Sequence, residues 1–158
     1  MSSLDALDAR IVLLFAQEPK VGVLEASRRL GVARGTVQAR LDRLESVGVI
    51  TGWAPSLDPA ALGFPVSAFA TLEITQAPRH GRGGHRPVAQ HLEAIPEVLE
   101  AHTITGAADM MVRLVARSNA DLQRVIDEVV ASPHVVRAST VIVLATEIAP
   151  RVTPLVGP

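Results

Sequence analysis

The chain has 158 residues, 48% hydrophobic and 20% charged, which suits one ordinary domain or two small ones rather than a large multidomain enzyme. Its formal net charge of −1, taken whole, argues against a strongly basic nucleic-acid binder. The lack of cysteine excludes disulfide frameworks, thiol nucleophiles and cysteine-based metal sites.

Residues 4–17 (LDALDARIVLLFAQ) carry Leu4, Leu7, Ile11, Leu14 and Phe15 at helical spacing, with Asp5 and Asp8 in the first turn where they complement the helix dipole, and Pro19 stops the run. Val23, Leu24, Ala26, Ser27 and Leu30 suit a short second helix, with Gly31 placed as its C-terminal cap. A third helix is predicted over 34–47, its stripe formed by Val37, Leu41 and Leu44 and its end by Gly48. The segment 49–57 (VITGWAPSL) reads as a strand or hairpin, and 54–65, with its Asp58-Pro59 pattern, as the linker between two domains.

Beyond the linker, strand and helix patterns alternate. Strands are predicted at 67–75, 97–105, 110–117 and 135–146, and helices at 88–95 and 119–132, the latter opened by Ser118 with Asp121. A Gly/Arg/His loop is expected over 78–87, a turn over 106–109 and a loose proline-containing tail over 149–158. The order β-α-β-β-α-β is the split ferredoxin-like arrangement, so the fold class is α+β. Its domains are read as 1–53, 66–148 and the tail. Aromatics make up only 3%, so the cores must be aliphatic. No apolar run approaches the roughly 20 residues that span a bilayer, and acidic residues precede the first apolar run, unlike a secretory signal. The expectation is a cytoplasmic protein without membrane contact.

The net charge conceals a division. Residues 28–43 hold Arg28, Arg29, Arg34, Arg40 and Arg43 against Asp42 alone, whereas 93–109 hold Glu93, Glu97, Glu100 and Asp109 with no Arg or Lys. The basic cluster coincides with two short helices joined at a glycine, the geometry of a helix-turn-helix. With Val37, Leu41 and Leu44 turned to the core, the opposite face is Gly35, Ala39, Asp42 and Ser46. Thr36, Arg40 and Arg43 then form one flank, Arg34 and Gln38 the other. Arg34, Thr36 and Gln38 are placed to reach base edges, and Arg28, Arg29 and Arg43 to reach phosphates. Arg40 suits either the DNA surface or a structural pair with Glu45 or an acid of the first helix.

The run ASRRLGVARGTVQARLDRLESVGVITGW followed by LDPAALG resembles the N-terminal domain of the Lrp/AsnC family of transcription regulators. IPEVLEAHTITGAADMMVRLVARSNADLQRVIDEVVASPHVVRASTVIVL resembles that family's effector domain, and the likeness covers roughly 4–148. The resemblance implies a winged helix-turn-helix on double-stranded promoter DNA and a ferredoxin-like domain that forms homodimers, assembling to tetramers or octamers. It also implies a small effector, typically an amino acid, bound between dimers. Two departures stand out. The family's Gly-Asp-Tyr-Asp turn is here Gly106-Ala107-Ala108-Asp109, which removes an acid and an aromatic wall. Ala33 stands where the family prefers a Ser N-cap, while Ala39 and Asp42 stand where basic residues are common.

An amino-acid site needs backbone N–H groups for the carboxylate, which a turn at Gly106 and Ala108 can offer, and an acid for the ammonium, which Asp109 can supply. Thr140, matching a family threonine, can orient either end. Gly106 and Asp109 equally suit a plain hairpin turn. His80, His85 and His91 lack an accompanying cysteine or a tight His-x₃-His pattern, so no metal or other cofactor is expected. Siroheme decarboxylases resemble the same two-domain fold. That enzyme reading wants His and Arg around a tetra-acid macrocycle, whereas the arginines here gather on the helix-turn-helix and the chain has no Tyr. An assembly module with vestigial DNA contacts is the third reading.

Overall fold

The computed structural model describes residues 4–75 and 85–156. Asp5 opens helix α1 (Ala6–Gln17) through a reciprocal capping box: Asp8 N–H donates to Asp5 Oδ1 at 2.8 Å and Asp5 N–H to Asp8 Oδ2 at 3.2 Å. Helix α2 (Val23–Leu30) ends at Gly31, whose φ of +69° places it in the left-handed region that a side chain disfavours. Helix α3 (Arg34–Ser46) starts at Ala33, which offers no side-chain cap. Ile11, Phe15, Ala26, Leu30, Val37, Leu41 and Leu44 form the core of these helices.

The expected strand or hairpin over 49–57 is not formed: residues 51–58 have no regular structure. Gly52 and Pro55 interrupt it, and proline supplies no N–H to a ladder. Trp53 instead meets Phe15 edge-on, ring centroids 5.5 Å apart, and its Nε1–H donates to Glu45 at 2.8 Å.

Asp58 begins a turn, its Oδ1 accepting the Ala60 N–H at 3.0 Å. A four-stranded antiparallel sheet follows, in the order β2-β3-β1-β4, with β1 Val66–Ile74, β2 Val98–Thr103, β3 Met110–Ala116 and β4 Val135–Ile142. Helices α4 (His85–Glu93) and α5 (Asn119–Val130) complete the βαββαβ order. Period-two alternation buries Ala68, Ala70, Leu72 and Ile74 of β1 with Met110, Val112 and Leu114 of β3. They pack with Val88 and Leu92 of α4 and with Leu122, Val125 and Val129 of α5. Ser118 caps α5 by accepting the Asp121 N–H at 3.1 Å, while Asp121 accepts the Arg117 N–H at 2.9 Å.

Most element ends shift by one or two residues from the sequence expectation, and the larger differences lie at α4, β4 and the tail. The 78–87 loop loses its end to α4, which begins at His85, because Pro87 sits in a first turn whose N–H groups need no helical partner. The remainder of that loop, with His80, lies outside the described residues. β4 stops at Ile142 rather than 146, and the tail contains a 3₁₀ turn at Thr153–Leu155. The chain divides into two compact units: Met1–Ser56 with Ile148–Pro158, and Leu57–Glu147. Among the described residues no helix is long and apolar enough to cross a membrane, and no group of three or more His, Asp or Glu is placed to hold a metal ion.

Candidate functional site

Helix α3 buries Val37, Leu41 and Leu44 and leaves Arg34, Gly35, Thr36, Gln38, Ala39, Asp42 and Ser46 exposed. Its N-terminus therefore presents uncapped backbone N–H groups together with Arg34 and Thr36, an arrangement suited to anions and hydrogen-bonding edges. Arg34 makes no ion pair or side-chain hydrogen bond among the described residues. The Gln38 amide donates to Asp42 Oδ1 at 2.8 Å, so part of its donor capacity is already used on its own helix.

The other arginines are engaged more fully. Arg40 Nη1 contacts Asp5 and lies 2.9 Å from Asp8 Oδ1, and Arg43 Nη1 lies 2.7 Å from Asp8 Oδ2. Asp8 is wholly buried. Burial pushes its carboxyl up, but hydrogen bonds from Arg43, the Asp5 backbone N–H and Arg40 outweigh that and hold it below the usual range. Asp5 is lowered by the Asp8 backbone N–H and by Arg40, and Arg40 is raised in turn by Asp5 and Asp8. Of the two expected roles of Arg40, the structural pair with acids of the first helix is present, while Glu45 is occupied by Trp53. Arg29 bridges Glu18 at 2.6 Å and Glu25 at 3.0 Å, and Arg28 has only a 3.7 Å contact with Glu25. Four of the five arginines of the basic cluster thus lie within ion-pair range of acids outside the cluster, Arg28 the most loosely and Arg29, Arg40 and Arg43 closely.

The expected effector residues are distributed over the sheet unit. Gly106 adopts φ +121°, a conformation that favours glycine, although a Cβ there would meet nothing within 4 Å. Asp109 locks the turn to β1: its N–H donates to Leu72 O at 2.9 Å, its Oδ2 accepts the Ile74 N–H at 2.8 Å, and its carbonyl accepts the Ile104 N–H at 3.0 Å. The carboxylate assigned to a ligand ammonium is therefore already an acceptor for the end of β1. Ala108 is half-buried beside it. Thr140 stands on β4 opposite Ala70, so β1 separates that strand from the β2–β3 turn, and one chain does not assemble the four residues into one pocket.

Two features escaped the sequence reading. Asp8 is a buried hub joining α1 to α3; its signal was the three-residue spacing from Asp5 that makes a capping box. The second is a cleft between α4 and the β2–β3 hairpin, lined by His85, Arg86, Ala89, Ala101, Thr103 and Met110. Nothing in the periodicity of these segments brings them together.

Comparison with known proteins places these features in a family. Residues 4–45 match the AsnC-type helix-turn-helix domain and residues 68–152 the Lrp/AsnC ligand binding domain. The chain is 30% identical over 143 residues to the HTH-type transcriptional regulator FL11 of Pyrococcus horikoshii, covering 90% of this chain and 91% of that one. It is 28% identical over 125 residues to the transcriptional regulator AldR of Mycolicibacterium smegmatis, covering 79% and 71%. The structure of E. coli AsnC superposes with a TM-score of 0.86 at 25% identity, over 97% of this chain and all of that one. A regulator from Neisseria meningitidis solved as an L-Met complex shares the fold, with a TM-score of 0.81 at 22% identity and 96% of each chain covered. The relatives are transcriptional regulators rather than enzymes, and the chain, with a helix-turn-helix domain and a ligand-binding domain in the same order, belongs to the Lrp/AsnC family.

Proposed function

We propose that this protein is a sequence-specific regulator of promoter DNA whose assembly or DNA binding responds to a small-molecule effector, an amino acid. The observation that carries the DNA reading is the exposed, uncapped start of α3, with Arg34, unpaired among the described residues, beside Thr36. In this reading Arg34, Thr36 and Gln38 meet base edges. Arg28 supplies phosphate contact, and Arg29, Arg40 and Arg43 approach phosphates through whatever donor capacity their acids leave. The reader spans 1–53, the linker 54–65 and the sensing domain 66–148, and the protein works in the cytoplasm. The sheet's helix-free face carries the Phe69–Val141 pair, and Val141 is 63% exposed, which supports homodimers formed through the sheet that assemble to tetramers or octamers. Effector binding between copies would let Gly106, Ala108 and Asp109 of one chain approach Thr140 of another. The regulator of the same fold solved with L-Met supports an amino acid as the ligand class.

The test uses the full chain and a DNA fragment from upstream of its own gene. Arg34→Ala with Gln38→Ala is expected to abolish retention of that fragment while light scattering shows an unchanged oligomer. Undiminished binding would remove this helix as the reader. A panel of L-amino acids, read by thermal stabilisation and oligomer size, tests the effector.

A further inference from the structure

The cleft between α4 and the β2–β3 hairpin has a volume of about 630 Å³, within the range of small-molecule sites. It is lined by His85 and Arg86 of α4's first turn, Ala89 one turn further on, Ala101 and Thr103 of β2, and Met110 of β3. Two of these carry unspent polar capacity. The Nδ1 atom of His85 is shielded from solvent and has no hydrogen-bond partner among the described residues. Buried polar atoms are rarely left this way, because the lost hydration goes unreplaced. Arg86 is exposed and makes no ion pair among the described residues, unlike Arg29, Arg40, Arg43, Arg113 and Arg124. Among the described residues the lining contains no acid, so it offers no negative charge to an ammonium. Ala89, Ala101 and Met110 supply an apolar wall.

We infer that this cleft binds a small carboxylate with an aliphatic body, the carboxylate held by the Arg86 guanidinium and His85 Nδ1, and the hydrocarbon lying against Ala89, Ala101 and Met110. The guanidinium fork matches a carboxylate with two parallel hydrogen bonds. The Thr103 hydroxyl adds a donor or acceptor at the far side. Thr103 and Met110 are register partners that flank the 104–109 turn, so an occupant bridges α4 to the hairpin whose Asp109 grips β1. The site is distinct from the turn itself. It takes a carboxylate whether or not an amine is present, whereas the turn reading requires both.

The probe is 4-methylvalerate, an aliphatic carboxylate without an amine, titrated calorimetrically into the full chain beside its uncharged amide and inorganic phosphate. Wild type is expected to bind the carboxylate and not the amide. Arg86→Gln is exposed enough to leave the fold intact, and is expected to weaken binding at least about tenfold by loss of a charged hydrogen-bonding partner. His85→Ala is expected to act in the same direction. No binding of 4-methylvalerate to wild type, equal binding of the amide, phosphate binding in its place, or an Arg86→Gln variant of unchanged affinity each overturns the assignment. If L-amino acids stabilise wild type and Arg86→Gln equally while 4-methylvalerate does not bind, the effector reading survives and this cleft does not.

Discussion

Asp8 shows how much one residue in this protein depends on distant partners. Its backbone N–H and carboxylate serve the capping box of α1, and the same carboxylate receives Arg40 and Arg43 from more than thirty positions away. A buried carboxylate is tolerated only because these donors surround it. Asp8→Asn removes the charge while keeping the shape, and strands two guanidiniums at a crowded helix pair. The expected loss is about 2 kcal/mol from the helical unit, below the range for fully buried pairs because both arginines are partly exposed. The only tryptophan, Trp53, stacks against Phe15 in this unit, so its fluorescence during urea unfolding reports the change. The sign of the pH dependence follows from the lowered carboxyl. The unfolded chain takes up the proton first, so the stabilisation is complete above the ordinary aspartate value and disappears as pH falls through the lower folded one. The gap between wild type and Asp8→Asn is expected to be constant above about pH 5 and to narrow below about pH 4. A gap that does not change with pH would show that the charge contributes nothing.

The 104–109 turn shows a tension between structure and ligand at the scale of an element. Gly106 supplies a conformation that other residues resist, and Asp109 turns the hairpin into a clamp on the end of β1. Asp109→Ala would leave the Ile74 N–H without its acceptor at the point where the β1–β4 register shifts. The sheet unit is expected to lose about 1–2 kcal/mol, and the Ile74 amide to exchange with solvent faster than its neighbours on β1. Unchanged exchange at Ile74 would show that the hydrogen bond is not formed in solution. Because this substitution weakens the sheet by itself, loss of effector response in Asp109→Ala would not identify a ligand contact. Thr140→Val changes a hydroxyl on β4 that holds no strand in place, and is the cleaner probe of the effector. The strand or hairpin expected over 49–57 failed to form for a reason of the same scale. A two-stranded ribbon needs a partner strand, and the residues after α3 hold Gly52 and Pro55 where that ladder would run.

For the whole molecule, the net charge of −1 takes on a different meaning once the ion pairs are known. Five arginines in free contact with phosphates would give a log–log salt slope of about −4.5 per reader, at about −0.9 each. With Arg29, Arg40 and Arg43 shared with acids, a markedly shallower slope is expected in titrations of DNA binding against salt. Asp5→Ser retains an N-capping side chain while releasing Arg40 from one acid, and is expected to steepen the slope by up to about one phosphate. An unchanged slope would show that Arg40 serves the fold alone. A reader with few free charges gains affinity chiefly through several copies on one DNA, which agrees with the proposed assembly.

Apolar spacing alone determined the five helices and the βαββαβ order. Leu41 and Leu44 on one side of α3, or Ala68, Ala70 and Leu72 on one side of β1, are buried because local geometry repeats every 3.6 or every two residues. Caps were legible for the same reason: Gly31 and Ser118 act on backbone within a few positions of themselves. Only the tertiary structure decided which charges remain available. Arg40 meets Asp5 across 35 positions and Asp109 meets Ile74 across the same separation, and no local rule specifies such pairs. The cleft below α4 arises likewise, since His85 and Thr103 are brought together only when the helix packs on the sheet. Sequence periodicity reports which face turns inward, but the functional chemistry depends on which polar groups find one another once those faces have closed.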